Sequence, residues 1–197
     1  MEEISTPTAN YTSTILHEHA ALQLRLIPAT PGYETPVAAR SMAYMALAAY
    51  EAGAPGIPEN KSLSGILEDF DGIPETDKAL EYNWPIAVNA AEYGLMKKIY
   101  GTCGDIFKIK LDTLKKKYEN EYKIGVGSDI IERSIRFGAE VANAVWVYSQ
   151  LDGGHEAYNN NFPISNSDFH GVAIWQPTGK EKRPLLPNWG EVRTFFT

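Results

Sequence analysis

Apolar residues recur at helical spacing along most of the chain, and turn residues separate the stretches that carry this pattern. In one stretch Leu111, Leu114 and Tyr118 share a side and three consecutive lysines lie opposite, as in an amphipathic helix. The pattern predicts main helices over residues 11–26, within 30–52, and over 84–100, 105–122 and 129–150, with a short helix over 63–70. The sequence therefore predicts an all-α fold, a helical bundle of about five main helices.

The stretch 30–52 is predicted to form the central helix of that bundle. Between Arg40 and Glu51 it holds ten consecutive uncharged residues, mostly Ala, Met, Leu and Tyr. A helix that is apolar all round is usually buried on several sides, and this run is far shorter than the ~20 residues that a membrane span needs. Small residues would let neighbouring helices come close: Ala39, Ala43 and Ala46. Arg40 and Glu51 are expected to be buried or rim partners of other groups.

Proline, glycine and serine mark the predicted helix ends. Pro36 and Pro85 suit the first turn of a helix, where the missing N–H costs no hydrogen bond. Gly101 is expected to end the third main helix, and Ser128 is expected to cap the last one. The last helix is predicted to offer a close-packing face at Gly138 and Ala142.

The character of the sequence changes after residue 151. Residues 152–197 show little helical period and many Gly, Pro and Asn, but they are too aromatic for plain disorder. We predict a helical bundle over 1–151 and a long, irregular, aromatic-rich C-terminal arm over 152–197. The arm is expected to pack on the bundle or on a missing part of the protein. Its aromatic residues include Tyr158, Phe162, Phe169, Trp175, Trp189, Phe195 and Phe196.

Charge and cysteine content narrow the possible partners. The net charge of −7 argues against nucleic acid and against an anionic membrane surface. Cys103 is the one cysteine, so a disulfide framework and a cysteine-based metal site are excluded. The first residues lack the basic and apolar regions of a signal peptide. The compartment stays open, and a periplasmic or extracytoplasmic location would apply if such a signal had been removed.

Two short motifs match known sites only in part. In His17-Glu18-His19 the second histidine comes two residues after the first, whereas the zinc-protease pattern needs four. The two rings would point about 200° apart on a helix, so we expect surface or partly buried histidines. Gly125-Val126-Gly127 lacks the third glycine and the preceding strand of a dinucleotide-binding fingerprint. No Ser- or Cys-centred triad motif is present either.

Polar side chains cluster in the predicted arm, and their oxygens and imidazoles are of the kind that bind divalent metals. They are Asp152, His155, Glu156, Asn159, Asn160, Asn161, Asp168 and His170. No EF-hand spacing connects them, and Asn and Asp commonly stabilise turns. A turn role is the favoured interpretation, and a metal site is left open.

A series of short motifs extends in one order over nearly the whole chain. It comprises Thr30-Pro31-Gly32-Tyr33, Pro36 to Arg40, Ala43-Tyr44, Ala48 to Ala52, Tyr82 to Pro85, Ile131 to Gly138, Asp152-Gly153-Gly154, Trp175 to Thr178 and Pro187 to Phe195. In these motifs the chain resembles the N-terminal helical half of bacterial vanadium-dependent haloperoxidase-like proteins, which belong to the type 2 phosphatidic acid phosphatase superfamily.

The catalytic motifs of that superfamily are not found in this chain. They are Lys-x6-Arg-Pro, Ser-Gly-His, and an Arg followed by a second His, and they hold phosphate or vanadate. Arg183-Pro184 resembles the end of the first motif, but Gln176 stands where the Lys is needed, and Gly153-Gly154-His155 lacks the Ser. Neither His155 nor His170 fits the third motif. We therefore assign no catalytic or cofactor-binding residue, and the resemblance implies vanadate or phosphate for a missing catalytic half.

The favoured hypothesis is a scaffold: the N-terminal part of a haloperoxidase-like or acid-phosphatase-like protein, present as a fragment or truncated product. Its partner would be the missing catalytic half or a second copy of the chain, and this chain alone is expected to be inactive. Peroxidase and phosphatase chemistry stay open for the parent protein. The alternatives are a non-catalytic helical interaction module and, less favoured, a metal-dependent hydrolase that uses the Asp/His-rich arm.

Overall fold

The computed structural model describes residues 4–163 and 183–195, which form five α-helices and no strand. The helices are α1 (Thr14–Leu26), α2 (Thr35–Gly53), α3 (Trp84–Ile99), α4 (Asp105–Tyr122) and α5 (Ser128–Gln150). The predicted all-α class is confirmed, and five main helices agree with the predicted bundle. None of the helices in the described residues is both long and apolar enough to cross a membrane.

Helix α3, and not α2, occupies the centre of the fold. It packs against each of the other four helices, and 12 of its 16 residues are buried. The prediction that stretch 30–52 forms the central helix is wrong in this respect, because α2 buries only part of its circumference. Its small and flexible residues Ala39, Met42 and Ala46 are exposed. A helix surface without charged residues can therefore still be exposed to solvent.

Helices α3 and α5 pack very closely against each other. A Cβ atom on Gly138 would lie 2.1 Å from the carbonyl oxygen of Ala87 and 2.9 Å from the Cβ of Ala90. Opposite Gly94, the Cβ of Ala142 lies at 3.0 Å from the position that a Cβ would take. Backbones can come this close only where side chains are minimal. The predicted close-packing face at Gly138 and Ala142 is thus confirmed.

The helices begin within a few residues of the predicted positions. Pro36 and Pro85 lie in the first turns of α2 and α3, as predicted. The Asn83 side chain caps α3 by accepting a hydrogen bond from the Ile86 N–H at 3.1 Å. The predicted cap Ser128 is instead the first helical residue, and Gly127 takes the cap position without a side-chain bond. Helix α1 begins at Thr14, three residues later than predicted.

The segment 63–70 consists of turns, so the predicted short helix there is wrong. The Glu51 carboxylate accepts hydrogen bonds from the Ser62 hydroxyl and the Leu63 N–H, both at 2.8 Å. Gly65 and Asp69 have left-handed backbone conformations, which interrupt a helix. Glu51 is almost fully buried, which confirms the expectation that it is a buried partner.

The described parts of the C-terminal segment lie on the helices. The Asn161 side chain donates to the Gly32 carbonyl at 2.8 Å, and the Leu186 N–H donates to the Asn161 carbonyl at 2.8 Å. The Phe195 ring packs 5.1 Å from the Tyr44 ring. The predicted members Asp168, Phe169, His170 and Trp175 to Thr178 lie outside the described residues, and the division at residue 151 stays a prediction.

Candidate functional site

A buried ion pair ties the segment after α5 to the start of α2. The Asp152 carboxylate accepts two hydrogen bonds from the Arg40 guanidinium, at 2.6 and 2.9 Å. It accepts two more at 2.8 Å, from the Tyr44 hydroxyl and from the Gly154 N–H. The Arg40 guanidinium also donates to the Ser149 carbonyl. We call Arg40, Tyr44 and Asp152 the arm clasp.

The protonation states and hydrogen bonds of the arm clasp indicate a structural role and not one in proton transfer. Burial, together with the adjoining Asp152 carboxylate, raises the pKa of Tyr44 well above its usual range, so its hydroxyl stays protonated and donates. The backbone at Gly154 passes so close that a Cβ there would lie 2.9 Å from the Arg40 Nε. The run Gly153-Gly154-His155 is therefore part of a tight turn around the ion pair. The expectation that Arg40 has a buried partner is confirmed.

The polar arm residues that lie within 152–163 do not converge on one point; Asp168 and His170 lie outside the described residues. The Asp152 carboxylate is hydrogen-bonded to Arg40, Tyr44 and Gly154. The His155 ring packs edge-on against Trp146, with 5.3 Å between the ring centroids. The Asn161 side chain donates to the Gly32 carbonyl, just before α2. Glu156 has a left-handed backbone and an exposed side chain. Within residues 4–163 and 183–195, no group of three or more His, Cys, Asp or Glu side chains could hold a metal ion.

Arg183, which stands at the end of the incomplete Lys-x6-Arg-Pro motif, is also held by contacts within the chain. Arg183 donates from its guanidinium to the Phe162 carbonyl at 2.7 Å and lies over the Phe162 ring. Its partner in the motif frame, Gln176, lies outside the described residues.

A second acid–base contact, which sequence reasoning missed, lies between α1 and α3. His19 is fully buried, which corrects the expectation of a surface or partly buried histidine. Its Nε2 lies 3.0 Å from the Asn89 Oδ1, and the Asn89 amide nitrogen donates to the Lys115 carbonyl at 2.9 Å. Since Asn89 Oδ1 can only accept, His19 carries its proton on Nε2. Its Nδ1 therefore faces the Glu92 carboxyl as an acceptor, at 4.0 Å.

Burial keeps both members of this His19–Glu92 pair uncharged near neutral pH. Desolvation lowers the pKa of His19 to about 4, against a smaller upward effect of the Asn89 hydrogen bond. Desolvation alone raises the pKa of Glu92 to about 8. The 4.0 Å separation is within ion-pair distance, but a histidine and a glutamate that are both neutral do not form an ion pair.

Glu92 also lines an apolar groove of about 560 Å³ between α1 and α2. Residues of two short 3-10 turns, Thr8–Asn10 and Ala54–Gly56, also line the groove. Glu92 is the one acidic residue among the groove-lining residues in the described chain. The residues that give the groove its apolar character include Ile15, Leu16, Met42, Met45, Ala49 and Val88. The available sequence signal was a single charged residue in the apolar run from Trp84 to Met96.

Comparisons with known proteins report on the fold. No family model and no curated protein matches the sequence. A solved structure, described as the crystal structure of the first bacterial vanadium-dependent iodoperoxidase, matches with a TM-score of 0.71 at 24% sequence identity. The match covers 94% of this chain and 43% of that chain, which is consistent with the predicted N-terminal half. The chain therefore has a haloperoxidase-like fold and spans less than half the length of that structure.

Proposed function

We propose that this chain is the scaffold part of a vanadium haloperoxidase-like protein whose catalytic residues lie outside these 197 residues. One observation carries the proposal: nearly the whole chain matches the fold of less than half of a bacterial vanadium iodoperoxidase. The absence of Lys-x6-Arg-Pro and Ser-Gly-His from the sequence points the same way. Vanadate, or phosphate in a related phosphatase, would be held by that other part.

The buried polar groups of the chain support a scaffold role. The Asp152 carboxylate accepts four hydrogen bonds from groups of the chain itself, two of them from Arg40. A residue that binds an oxyanion needs donors aimed at open space. The arm clasp instead ties residues 152–163 to α2. We infer that the arm over 152–197 acts as a strap between the bundle over 1–151 and the catalytic part.

Two exposed apolar helix faces give the catalytic part a place to pack. Ile106 and Ile109, three residues apart on α4, are 63% and 64% exposed. Val147 and Leu151, four residues apart at the end of α5, are 47% and 70% exposed. Residues at these spacings share one side of a helix. The same faces could receive a second copy of the chain, which is the other partner that the proposal allows.

An activity comparison tests the proposal. We expect the chain alone, supplied with vanadate, hydrogen peroxide and iodide, to give no oxidised iodine, and the protein extended through Lys-x6-Arg-Pro and Ser-Gly-His to give vanadate-dependent turnover. Release of phosphate from a simple ester would identify a phosphatase instead. Iodide oxidation by the 197-residue chain alone would overturn the proposal.

A matched pair of substitutions in the extended protein tests the packing face. Val147→Glu should lower turnover by weakening the contact between the two parts, since a charge on a buried apolar contact is costly. Ile124→Glu is the control, because Ile124 is 80% exposed and lies in the turn after α4. Equal turnover of the two variants would argue against the α5 face as the contact.

The alternative of a non-catalytic interaction module is supported by the same exposed faces. It predicts that no Lys-x6-Arg-Pro or Ser-Gly-His follows in the coding sequence, and that the chain is stable and soluble with a binding partner. A metal-dependent hydrolase built on the arm has less support. Of its expected ligands, Asp152 is already saturated with hydrogen bonds and His155 packs against Trp146.

A further inference from the structure

The apolar groove between α1 and α2 has the size of a small-molecule site. Its volume of about 560 Å³ lies within the roughly 300–1,000 Å³ that is typical of ligand pockets. Its walls are mainly apolar and include two methionines, which suit a flexible apolar ligand because they adapt to its shape. One wall is the exposed face of α2 at Met42 and Ala46. Ala46 was predicted to let a neighbouring helix come close.

The Glu92 carboxyl is the feature of the groove that requires an explanation. Its side chain is 8% exposed, and no hydrogen-bond donor among the described residues reaches it. Across the helices the His19 Nδ1 lies at 4.0 Å, and it is itself buried and without a hydrogen bond. Buried carboxyl groups are normally paired or hydrogen-bonded. Glu92, without a partner in the chain and lining a groove, is open to a donor from a molecule bound there.

We propose that the groove binds an apolar amine, with the hydrocarbon part along α2 and the ammonium group on the Glu92 carboxylate. The proposal is independent of the haloperoxidase-like function, because it uses none of the catalytic motifs. Both parts of such a ligand have a counterpart: apolar walls for the chain and one buried acid for the head group.

In its ionised form Glu92 favours a cation over an anion or a neutral head group, because the groups that face it do not compensate its charge. The titratable groups that face Glu92 are His19 from α1 and Tyr100 from the end of α3. His19 is neutral above about pH 4. Tyr100 is a neutral phenol whose pKa is raised by burial, so neither group carries a charge at neutral pH. The α2 side contributes only uncharged residues to the groove. A bound ammonium would therefore be the one nearby cation, and its hydrogen bond to a carboxylate is of the strong, charge-assisted kind.

The protonation state of Glu92 gives the binding a pH dependence of known sign. Because the pKa of Glu92 is about 8 in the empty groove, binding of an ammonium below that pH must release the carboxyl proton. Affinity should therefore rise by up to about tenfold per pH unit between pH 6 and 8 and then level off. A fatty acid would show the opposite trend, because it would need the protonated carboxyl.

The test is a calorimetric titration with decylammonium, decanol and decanoate, below their micelle concentrations. For the protein as it is, at about pH 9, where Glu92 with its pKa of about 8 is ionised, we expect decylammonium to bind at least about tenfold more tightly than decanol, as a charge-assisted hydrogen bond implies. Glu92→Gln should remove that preference. Ala46→Trp should close the groove to every probe, and Ala39→Trp, an exposed position on the same helix outside the groove, should change nothing.

Several results would overturn the proposal. They are no binding of any probe, equal affinity for amine and alcohol, an amine preference that survives Glu92→Gln, or affinity that does not rise with pH. Loss of probe binding as the protein concentration increases would identify a second copy of the chain as the occupant, which also contradicts it. Should Glu92→Gln fail to fold, as judged by circular dichroism, the pH profile and the two tryptophan variants decide the question.

Discussion

The arm clasp and the His19–Glu92 pair are both buried contacts between an acid and a base, but they differ in charge state and in hydrogen bonding. In the clasp, Asp152 accepts four hydrogen bonds, two of them from the Arg40 guanidinium. In the other pair, His19 and Glu92 stand 4.0 Å apart, and desolvation keeps each of them neutral near pH 7.

The number of hydrogen bonds explains the difference between the two pairs. Removing an ion from water costs several kcal/mol, and only close, well-oriented donors offset that cost. Asp152 has them because the guanidinium, a phenol and a backbone N–H meet at its two oxygens. No such donors reach Glu92, so the neutral form is the more stable one. Burial next to an opposite type of residue is thus not enough to make an ion pair.

The largest effect is expected from breaking the arm clasp. Asp152→Ala leaves the Arg40 guanidinium, 12% exposed, without its carboxylate, and removal of one partner of a buried pair typically costs about 3–5 kcal/mol. We expect the free energy of unfolding to fall by about that amount in urea denaturation. Limited proteolysis should cut after residue 150 sooner than in the unaltered chain.

The exposed loop substitution Asp71→Ala is the control for the clasp, since Asp71 lies at the surface. It should leave both the unfolding midpoint and the proteolysis pattern unchanged. A loss below about 1 kcal/mol for Asp152→Ala, the value typical of surface pairs, would contradict the description of the clasp as a buried, saturated ion pair.

An intermediate effect is expected from pH, through the His19–Glu92 pair. Between 4.5, the ordinary pKa of a glutamate, and about 8, the unfolded chain releases a proton that native Glu92 keeps, so stability falls as pH rises. Between about 4 and 6.5 the unfolded chain holds a proton that native His19 lacks, so stability rises with pH. The two contributions cancel from about pH 4.5 to 6.5. From 6.5 to 8 the fall due to Glu92 remains, at up to ~1.4 kcal/mol per pH unit.

Urea denaturation between pH 4 and 9 measures this profile. Glu92→Gln should abolish the fall above pH 6.5 and expose the rise from about pH 4 to 6.5 that belongs to His19. Glu140→Gln, on the exposed side of α5, should keep the profile of the unaltered chain. A fall above pH 6.5 that persists in Glu92→Gln would show that the pair is not its source.

The smallest effect is expected from an ion pair at the surface. Lys117 donates to both Glu18 oxygens, at 2.5 and 2.6 Å, which is as short as the clasp, but both side chains are well exposed. Glu18→Gln should leave the thermal midpoint unchanged within error, at low salt and in 1 M sodium chloride, because water screens the pair. If Glu18→Gln lowered the stability nearly as much as Asp152→Ala, the strength of these ion pairs would depend on the distance between the charges. It would then not depend on their burial or on the number of their hydrogen bonds.

Local signals in the sequence were enough for most of the secondary structure. Pro36, Pro85 and the glycines after α3 and α4 act through the backbone of their own segment, so their effect is readable without the fold. The prediction of a short helix over 63–70 was wrong because contacts from another part of the fold determine that segment. There the buried Glu51 carboxylate, on another element, binds the Ser62 hydroxyl and the Leu63 N–H, and left-handed residues follow.

By itself the sequence determined the all-α class, the five main helices, the glycine face of α5 and the haloperoxidase-like resemblance, because each depends on local periodicity or on motif order. It also marked Arg40 as a residue in need of a partner. Only the tertiary structure decided that the partner is Asp152, 112 positions away, that α3 is central, and that His19 is buried beside an unpaired Glu92. Those outcomes depend on which surfaces meet, and the free energy of a buried charge depends on the donors that the rest of the fold brings to it.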